Sequence, residues 1–248
     1  MNNKLEEFYM MDEDNGMDWQ TRTRSLIGDK AVRNLANSHV MIVGLGGVGG
    51  FSAEAVVRSG VGFLSIVDGD VIDVSNLNRQ IVAVADNIGC NKAEEMKRRL
   101  MAINPGLKCN AIPVNANALN VEKILDLNPD YVIDAIDSMS DKVALICAAK
   151  ARGIRIISAM GAANRTQADL LRLEDVFHTQ GDPVCRIMRR ELRKRGVTEH
   201  QVAYSKEIPR KVGGTLSSMV FVPGVMGLLL ANACVLELAA YKDMEHGT

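Results

Sequence analysis

The stretch from His39 to Gly50 constrains this chain more than any other. His39-Val40-Met41-Ile42-Val43 runs directly into Gly44-Leu45-Gly46-Gly47-Val48-Gly49-Gly50. A short, almost unbroken apolar run suits a strand buried on both faces. The glycines behind it let the backbone turn tightly and approach a phosphate or ribose, and the N-terminus of a following helix favours negative charge. That helix is expected to run through Ser59 and to close at Gly60. The next strand, Phe63 to Val67, ends at Asp68, about 20 residues on, where a carboxylate can bind ribose hydroxyls. The pattern therefore reads as the opening of a nucleotide-binding βαβ unit. A glycine turn that serves packing alone is the competing account.

The alternation continues along the chain. Cys109–Val114, Tyr131–Ile136 and Ile154–Ala159 read as strands, and Cys90–Ile103, Val121–Leu127 and Met139–Arg152 as helices. This rhythm predicts an α/β fold with a doubly wound, mostly parallel, Rossmann-like sheet covered on both faces. After Gly161 the rhythm changes into a C-terminal elaboration. Ala168–Leu173 and Val202–Tyr204 read as strands flanking a basic helix, 185–195. Pro209 to Ser218, rich in Gly, Ser and cations, is expected to be a mobile loop, and 224–241 a final helix. With no repeat and no linker, residues 18–243 form one expected domain, with 166–218 as an insert and 1–17 as a flexible tail.

Composition narrows the function classes. A net charge of -1 gives no global attraction to nucleic acid, so a polyanion must meet a local patch. The five cysteines stand singly, without a CxxC pair, which suggests neither a zinc site nor a disulfide framework and fits the cytoplasm. The run Met219–Ala240 approaches membrane length, but Pro223, Asn232 and Glu237 interrupt it, so a core helix and no membrane association are expected.

Further motifs follow the glycine turn in a fixed order: Asp68-Gly69-Asp70, Ser75-Asn76-Leu77-Asn78-Arg79-Gln80, Gly89-Cys90-Asn91-Lys92-Ala93-Glu94, and Asp134-Ala135-Ile136-Asp137-Ser138. Taken singly, each has an ordinary reading. Asp137 or Ser138 can cap the helix at Met139, Lys92 can be a solvated helix residue, and Arg79 a surface ion pair. The whole series, however, resembles the E1-like superfamily of ThiF, MoeB and ubiquitin-activating enzymes over about Thr21 to Gly161.

That resemblance implies adenylation of a carboxylate by ATP with Mg2+. The nucleotide would be bound by Gly44, Gly46, Gly47, Gly49, Asp68, Asp70, Asn76, Arg79, Gln80 and Lys92. The implied catalytic set is Arg22, Arg79, Lys92 and Asp137. Arg79 would grip phosphate through its fork and Lys92 would act as a point charge. Asp137, at the carboxyl end of a strand, would hold the metal through one oxygen. Asn76 and Gln80 would orient nucleotide and phosphate. Arg22 aligns with an arginine inserted into a partner's ATP site, which implies a homodimer, and Arg24 is the competing choice.

Within the superfamily, three segments are similar to the tRNA threonylcarbamoyladenosine dehydratases: Arg22-Thr23-x-x-Leu26-x-Gly28, Gly181-Asp182-Pro183, and Val222-Pro223 through Ala231. This implies ATP-dependent cyclisation of N6-threonylcarbamoyladenosine at position 37 of tRNA. The alternative is activation of the C-terminal glycine of a ubiquitin-like sulfur carrier, with a sulfur-transfer partner. A redox enzyme or nucleotide sensor is a third class that the glycine turn alone permits.

Arg186, Arg189, Arg190, Arg193, Lys194 and Arg195, with Arg210 and Lys211 farther on, are candidates for tRNA phosphates. The competing account is a solvated face balanced by Glu191. Cys185 is either a thiol activated by the helix N-terminus and nearby arginines or an incidental buried one. A monovalent cation near Gly161 to Ala163 is implied by resemblance only.

Overall fold

The alternating burial of β1 (His39–Val43) explains the architecture around it. Val40 and Ile42 join one apolar cluster and Met41 and Val43 the other, on opposite faces of a seven-stranded sheet. The computed structural model describes residues 19–211, 213 and 216–241. The expected tail at 1–17, and Val212, Gly214 and Thr215 of the expected mobile loop, lie outside the described residues.

The sheet comprises β1, β2 (Phe63–Val67), β3 (Lys108–Ile112), β4 (Tyr131–Asp134), β5 (Arg155–Ala159), β6 (Leu171–Asp175) and β7 (Gln201–Ser205). Its order is β3-β2-β1-β4-β5-β7-β6, and every pairing is parallel except β6 with β7. The doubly wound, mostly parallel expectation is met. The two strands after Gly161 extend the same sheet, β6 forming its antiparallel edge.

The helices are α1 (Thr21–Ala36), α2 (Gly49–Arg58), α3 (Lys92–Ile103), α4 (Val121–Leu125), α5 (Met139–Ala151), α6 (Pro183–Arg193) and α7 (Phe221–Tyr241). One face of the sheet is covered by α2, α3 and α7, and the other by α4, α5 and α6. α7 packs against both α2 and α1. It begins three residues earlier than expected, with Pro223 in its first turn. A proline is tolerated there because the first amides of a helix have no intrahelical partner. By length and composition α7 could cross a membrane, but 61% of its most apolar window is buried inside this protein, as a core helix requires.

α1 is broken at Gly28 (φ 84°, ψ 162°). Arg24 and Asp29 pair across that break at 2.8 Å.

Because β1 lies between β2 and β4, the chain leaves β1 toward one side of the sheet and β4 toward the other. The carboxyl ends of these two strands form the switch point where doubly wound sheets bind ligands.

Candidate nucleotide site at the switch point

The glycine turn is held by its neighbours on three sides. Gly44 (φ 90°) lies flat on the peptide that follows β4: a Cβ there would sit 2.6 Å from the Ala135 carbonyl oxygen. No other residue could both adopt this φ and approach so closely. On a second side, the Leu45 amide donates to Asp68 Oδ2 at 2.6 Å, and the Asp70 amide donates to Asp68 Oδ1 at 2.9 Å. On the third, Gly47 packs against the Arg79 carbonyl and Pro223, and Gly46 faces the Gln80 side-chain amide. The segments carrying Asp68, Arg79, Gln80 and Asp137 therefore all border one turn.

Asp68 is buried, and burial pushes its carboxyl up, against the opposing pull of the Leu45 and Asp70 amides and the Lys92 charge. Its Oδ2 supports the glycine turn and its Oδ1 the Asp68–Asp70 bend. Lys92 is buried at the start of α3, and its Nζ sits 2.9 Å from Asp70 Oδ2. Asp70, expected to touch nucleotide, holds that cation with its own side chain largely exposed. The solvated-helix reading of Lys92 fails, since its ammonium is inside the protein while Asp70 is exposed.

Arg79 is half-buried, with Nη1 donating to the Ser75 carbonyl at 2.7 Å and to Asn78 Oδ1 at 2.9 Å. It is not a surface ion pair, because its partners are neutral. Asn76 is buried and its Oδ1 accepts from the Asp73 amide, so part of its role is to cap a short 3-10 turn. Gln80 is buried beside the glycines, and its Oε1 has no hydrogen-bond partner. A buried acceptor left unpaired costs free energy, so a donor arriving with a ligand would be favoured there.

Asp137 is exposed, just past β4. The N-cap of α5 is Ser138, whose side chain makes no capping bond, so the capping account of this pair is not what the structure contains. Among the described residues no three His, Cys, Asp or Glu side chains gather as metal ligands. One exposed carboxylate beside a phosphate-sized turn suits Mg2+, which commonly takes one or two protein carboxylates and fills its shell with water and substrate phosphates.

On α1, Arg22 is exposed, whereas its rival Arg24 is tied to Asp29.

Two buried ion pairs beside the site escaped the sequence reading. Lys142 Nζ meets Asp134 Oδ2 at 2.8 Å with both side chains inaccessible, and the other Asp134 oxygen accepts the Ile136 amide. Asp134 thus shapes the turn that carries Asp137. The clue was present: Lys142 shares a helical face with Leu145, Ile146 and Ala149, all buried. Arg165 meets Asp182 at 2.6 Å, and its Nη1 donates to the carbonyls of Gly161 and Ala163. A monovalent cation was expected near Gly161 to Ala163, where a guanidinium now meets both carbonyls.

Cys185 is buried at the N-terminal end of α6, its thiol pushed up to about 12 by burial and by Asp182. Burial and a carboxylate outweigh the nearby arginines, which favours the incidental buried-thiol account over an activated thiol.

The ThiF family model matches residues 19–245, which is nearly the whole chain. This chain belongs to the ThiF family. The tRNA threonylcarbamoyladenosine dehydratase of Bacillus subtilis is 36% identical over 244 residues, 91% of this chain and 95% of that protein. Escherichia coli tRNA N6-threonylcarbamoyladenosine dehydratase, TcdA, solved in complex with ATP, superposes with TM-score 0.85 at 30% identity, covering 91% of this chain and 95% of that one. The same enzyme in complex with AMP gives TM-score 0.85 at 29% identity, over 90% and 94%. The two folds thus agree over about nine tenths of this chain.

Proposed function

We propose that this chain is an ATP-dependent tRNA threonylcarbamoyladenosine dehydratase. The observation that carries the reading is the turn itself. The Arg79 and Asp137 segments border a single glycine turn, and Lys92 is linked to it through Asp70 and Asp68, in a chain of which 91% aligns with enzymes of that name.

The chemistry follows from what the turn can hold. A carboxylate is a poor acyl donor because its leaving oxygen is strongly basic. Attack of the threonylcarbamoyl carboxylate on the α-phosphorus of ATP forms a P–O bond and releases pyrophosphate. A nucleophilic atom of the carbamoyl group then attacks the acyl carbon, the acyl–oxygen bond breaks, and AMP departs. One proton is lost in that step, so the tRNA ends lighter by one water.

Negative charge builds on the equatorial and leaving oxygens of the first step, and fixed cations stabilise it most where water is excluded. Lys92 is positioned by Asp70 for that task, and Arg79 by its two neutral acceptors. Asp68 would hold ribose with its remaining lone pairs, and Gln80 Oε1 would accept from the nucleotide. Asp137 would hold Mg2+, which supplies charge neutralisation across phosphate oxygens. A monovalent cation at Gly161–Ala163 gains no support, because Arg165 already supplies the positive charge there.

The homodimer fits the exposed apolar residues on adjoining helices, Leu26 on α1 and Phe221, Leu228 and Leu236 on α7. Such a stripe is a natural self-association surface, and it would let Arg22 reach a partner's site. A cytoplasmic location fits five free cysteines.

The test is direct. Incubation with ATP and tRNA bearing threonylcarbamoyladenosine, followed by mass analysis of the nucleosides, should show loss of one water. An unchanged mass at saturating ATP refutes the assignment. Pyrophosphate exchange that requires a carrier protein ending in Gly-Gly would instead favour carrier activation.

A further inference from the structure

The cations of α6 divide by structure into three groups. Arg189 is structural, because its guanidinium caps the carbonyls of Val176 and Thr179. Lys194 and Arg195 are neutralised on Glu191, which also accepts from Arg190 Nε. Arg186, Arg190 and Arg193 project outward at i, i+4 and i+7 on one face, with Ile187 among them and Arg190 meeting Glu191 through its Nε. Together with Arg189 these side chains line an open concavity of about 570 Å³. Arg193 is held against the Phe177 ring at 5.1 Å, so it is not a freely rotating charge.

This charge is segregated. Between Pro183 and Arg195 stand six cations and one carboxylate, in a chain whose overall charge is -1. A face solvated for its own sake would alternate in sign, and one carboxylate shared by three cations leaves most of the positive field uncompensated.

The placement is equally specific. Asp182, the N-cap of α6, is the partner of Arg165, and Val184 packs against Gly161 just beyond the carboxyl end of β5. α6 therefore starts at the rim that bears Asp137, and Arg186 lies in its first turn. Arg186 and Arg193 are seven residues apart, about 10 Å along the axis, so the three guanidiniums can meet successive phosphates rather than one small anion.

Resting on the reading of the substrate as tRNA, we infer that the Arg186–Arg190–Arg193 face of α6 is the surface that docks the RNA backbone and delivers the modified nucleotide to the switch point. Arg165 acts through Asp182 as a positioning residue that fixes where this face begins.

The experiment is tRNA binding by the full chain, measured across salt concentrations, for wild type and for a triple variant, Arg186→Gln, Arg190→Gln and Arg193→Gln. Removing three phosphate contacts should weaken binding roughly ten- to a hundredfold near physiological salt and make the log–log salt slope shallower by about two to three. ATP binding should be unchanged. A second triple variant with lysine at these positions should recover most of the affinity, which a packing defect would not allow.

Wild-type protein that fails to bind tRNA, or a glutamine variant within about twofold of wild type at an equal salt slope, overturns the inference. The second of these outcomes would leave an acidic protein as the partner for this face. Wild type that binds tRNA through this face without dehydrating it would refute the proposed reaction and leave the docking surface standing.

Discussion

Arg79 sits where a mutation separates chemistry from folding. Its side chain is half-buried, bonded to one carbonyl and one amide oxygen, and supports no apolar cluster. Arg79→Ala is therefore expected to lower turnover by on the order of a hundred- to a thousandfold, as loss of one transition-state charge donor does. The unfolding midpoint should stay close to wild type, and turnover is read from the mass of the tRNA product. His200 offers the opposite case, a residue outside the proposed catalytic set that matters to stability. It is buried, with Nε2 2.8 Å from Ser158 Oγ and Nδ1 unpartnered. Burial, with the charges of Lys150 and Lys142 nearby, pushes its pKa down to about 3. An unfolded histidine titrates near 6.5, at about which pH the unfolded chain begins to bind a proton that the folded one refuses. Stability is thus unaffected above that value and falls progressively as pH drops toward 3. His200→Gln should lose about 2 kcal/mol less than wild type between pH 7 and pH 5 in urea unfolding. At this scale the motif residues were legible because their chemistry is local: a glycine at φ 90° or an arginine in a fixed motif announces itself in one dimension. Lys142, Arg165 and His200 were not, since their partners Asp134, Asp182 and Ser158 are supplied by other elements.

The elements themselves follow the apolar periodicity closely, and the departures have identifiable causes. β1 and β2 start and stop where the apolar runs do, because both faces of each strand are buried. α1 carries no continuous 3.6-residue apolar pattern from Thr21, because its face is mostly polar and Gly28 breaks it. α7 was trimmed at Pro223, although a first-turn proline is compatible with a helix. α7 also shows how a single position sets a helix crossing. A Cβ on Gly227 would fall 2.3 Å from the Val48 carbonyl oxygen, and Ser52 Oγ donates to the Gly227 carbonyl at 2.9 Å. Val48 is the N-cap residue of α2, so this contact locks α7 against the helix that follows the glycine turn. Gly227→Ala should force the two helices apart and cost about 1–3 kcal/mol, as overpacking of a fitted interface does. Chemical denaturation measures the cost. A variant of equal stability would mean the crossing relaxes freely.

For the whole molecule the open question is whether one chain holds a complete site. Arg22 is exposed on α1, one helical turn from the exposed Leu26. If it completes a partner's site, Arg22→Ala and Arg79→Ala should each be inactive alone. Mixing them in equal amounts after subunit exchange should restore about one quarter of wild-type activity, since half the dimers are mixed and each holds one intact site of two. No recovery, in a mixture shown to exchange, would place Arg22 in its own chain's site or in none. The sequence by itself determined the sheet class, the glycine turn and the types of charge around it, because these follow from short-range periodicity and from residues whose conformational or chemical options are few. Only the tertiary structure decided that Asp70 restrains Lys92, that Asp134 is bound to Lys142 while Asp137 is left exposed, and that Arg165 meets the Gly161 and Ala163 carbonyls after β5. Those outcomes depend on which charges share a low-dielectric interior, and that is set by strand order and helix packing across gaps of up to 22 residues, not by the spacing of residues along the chain.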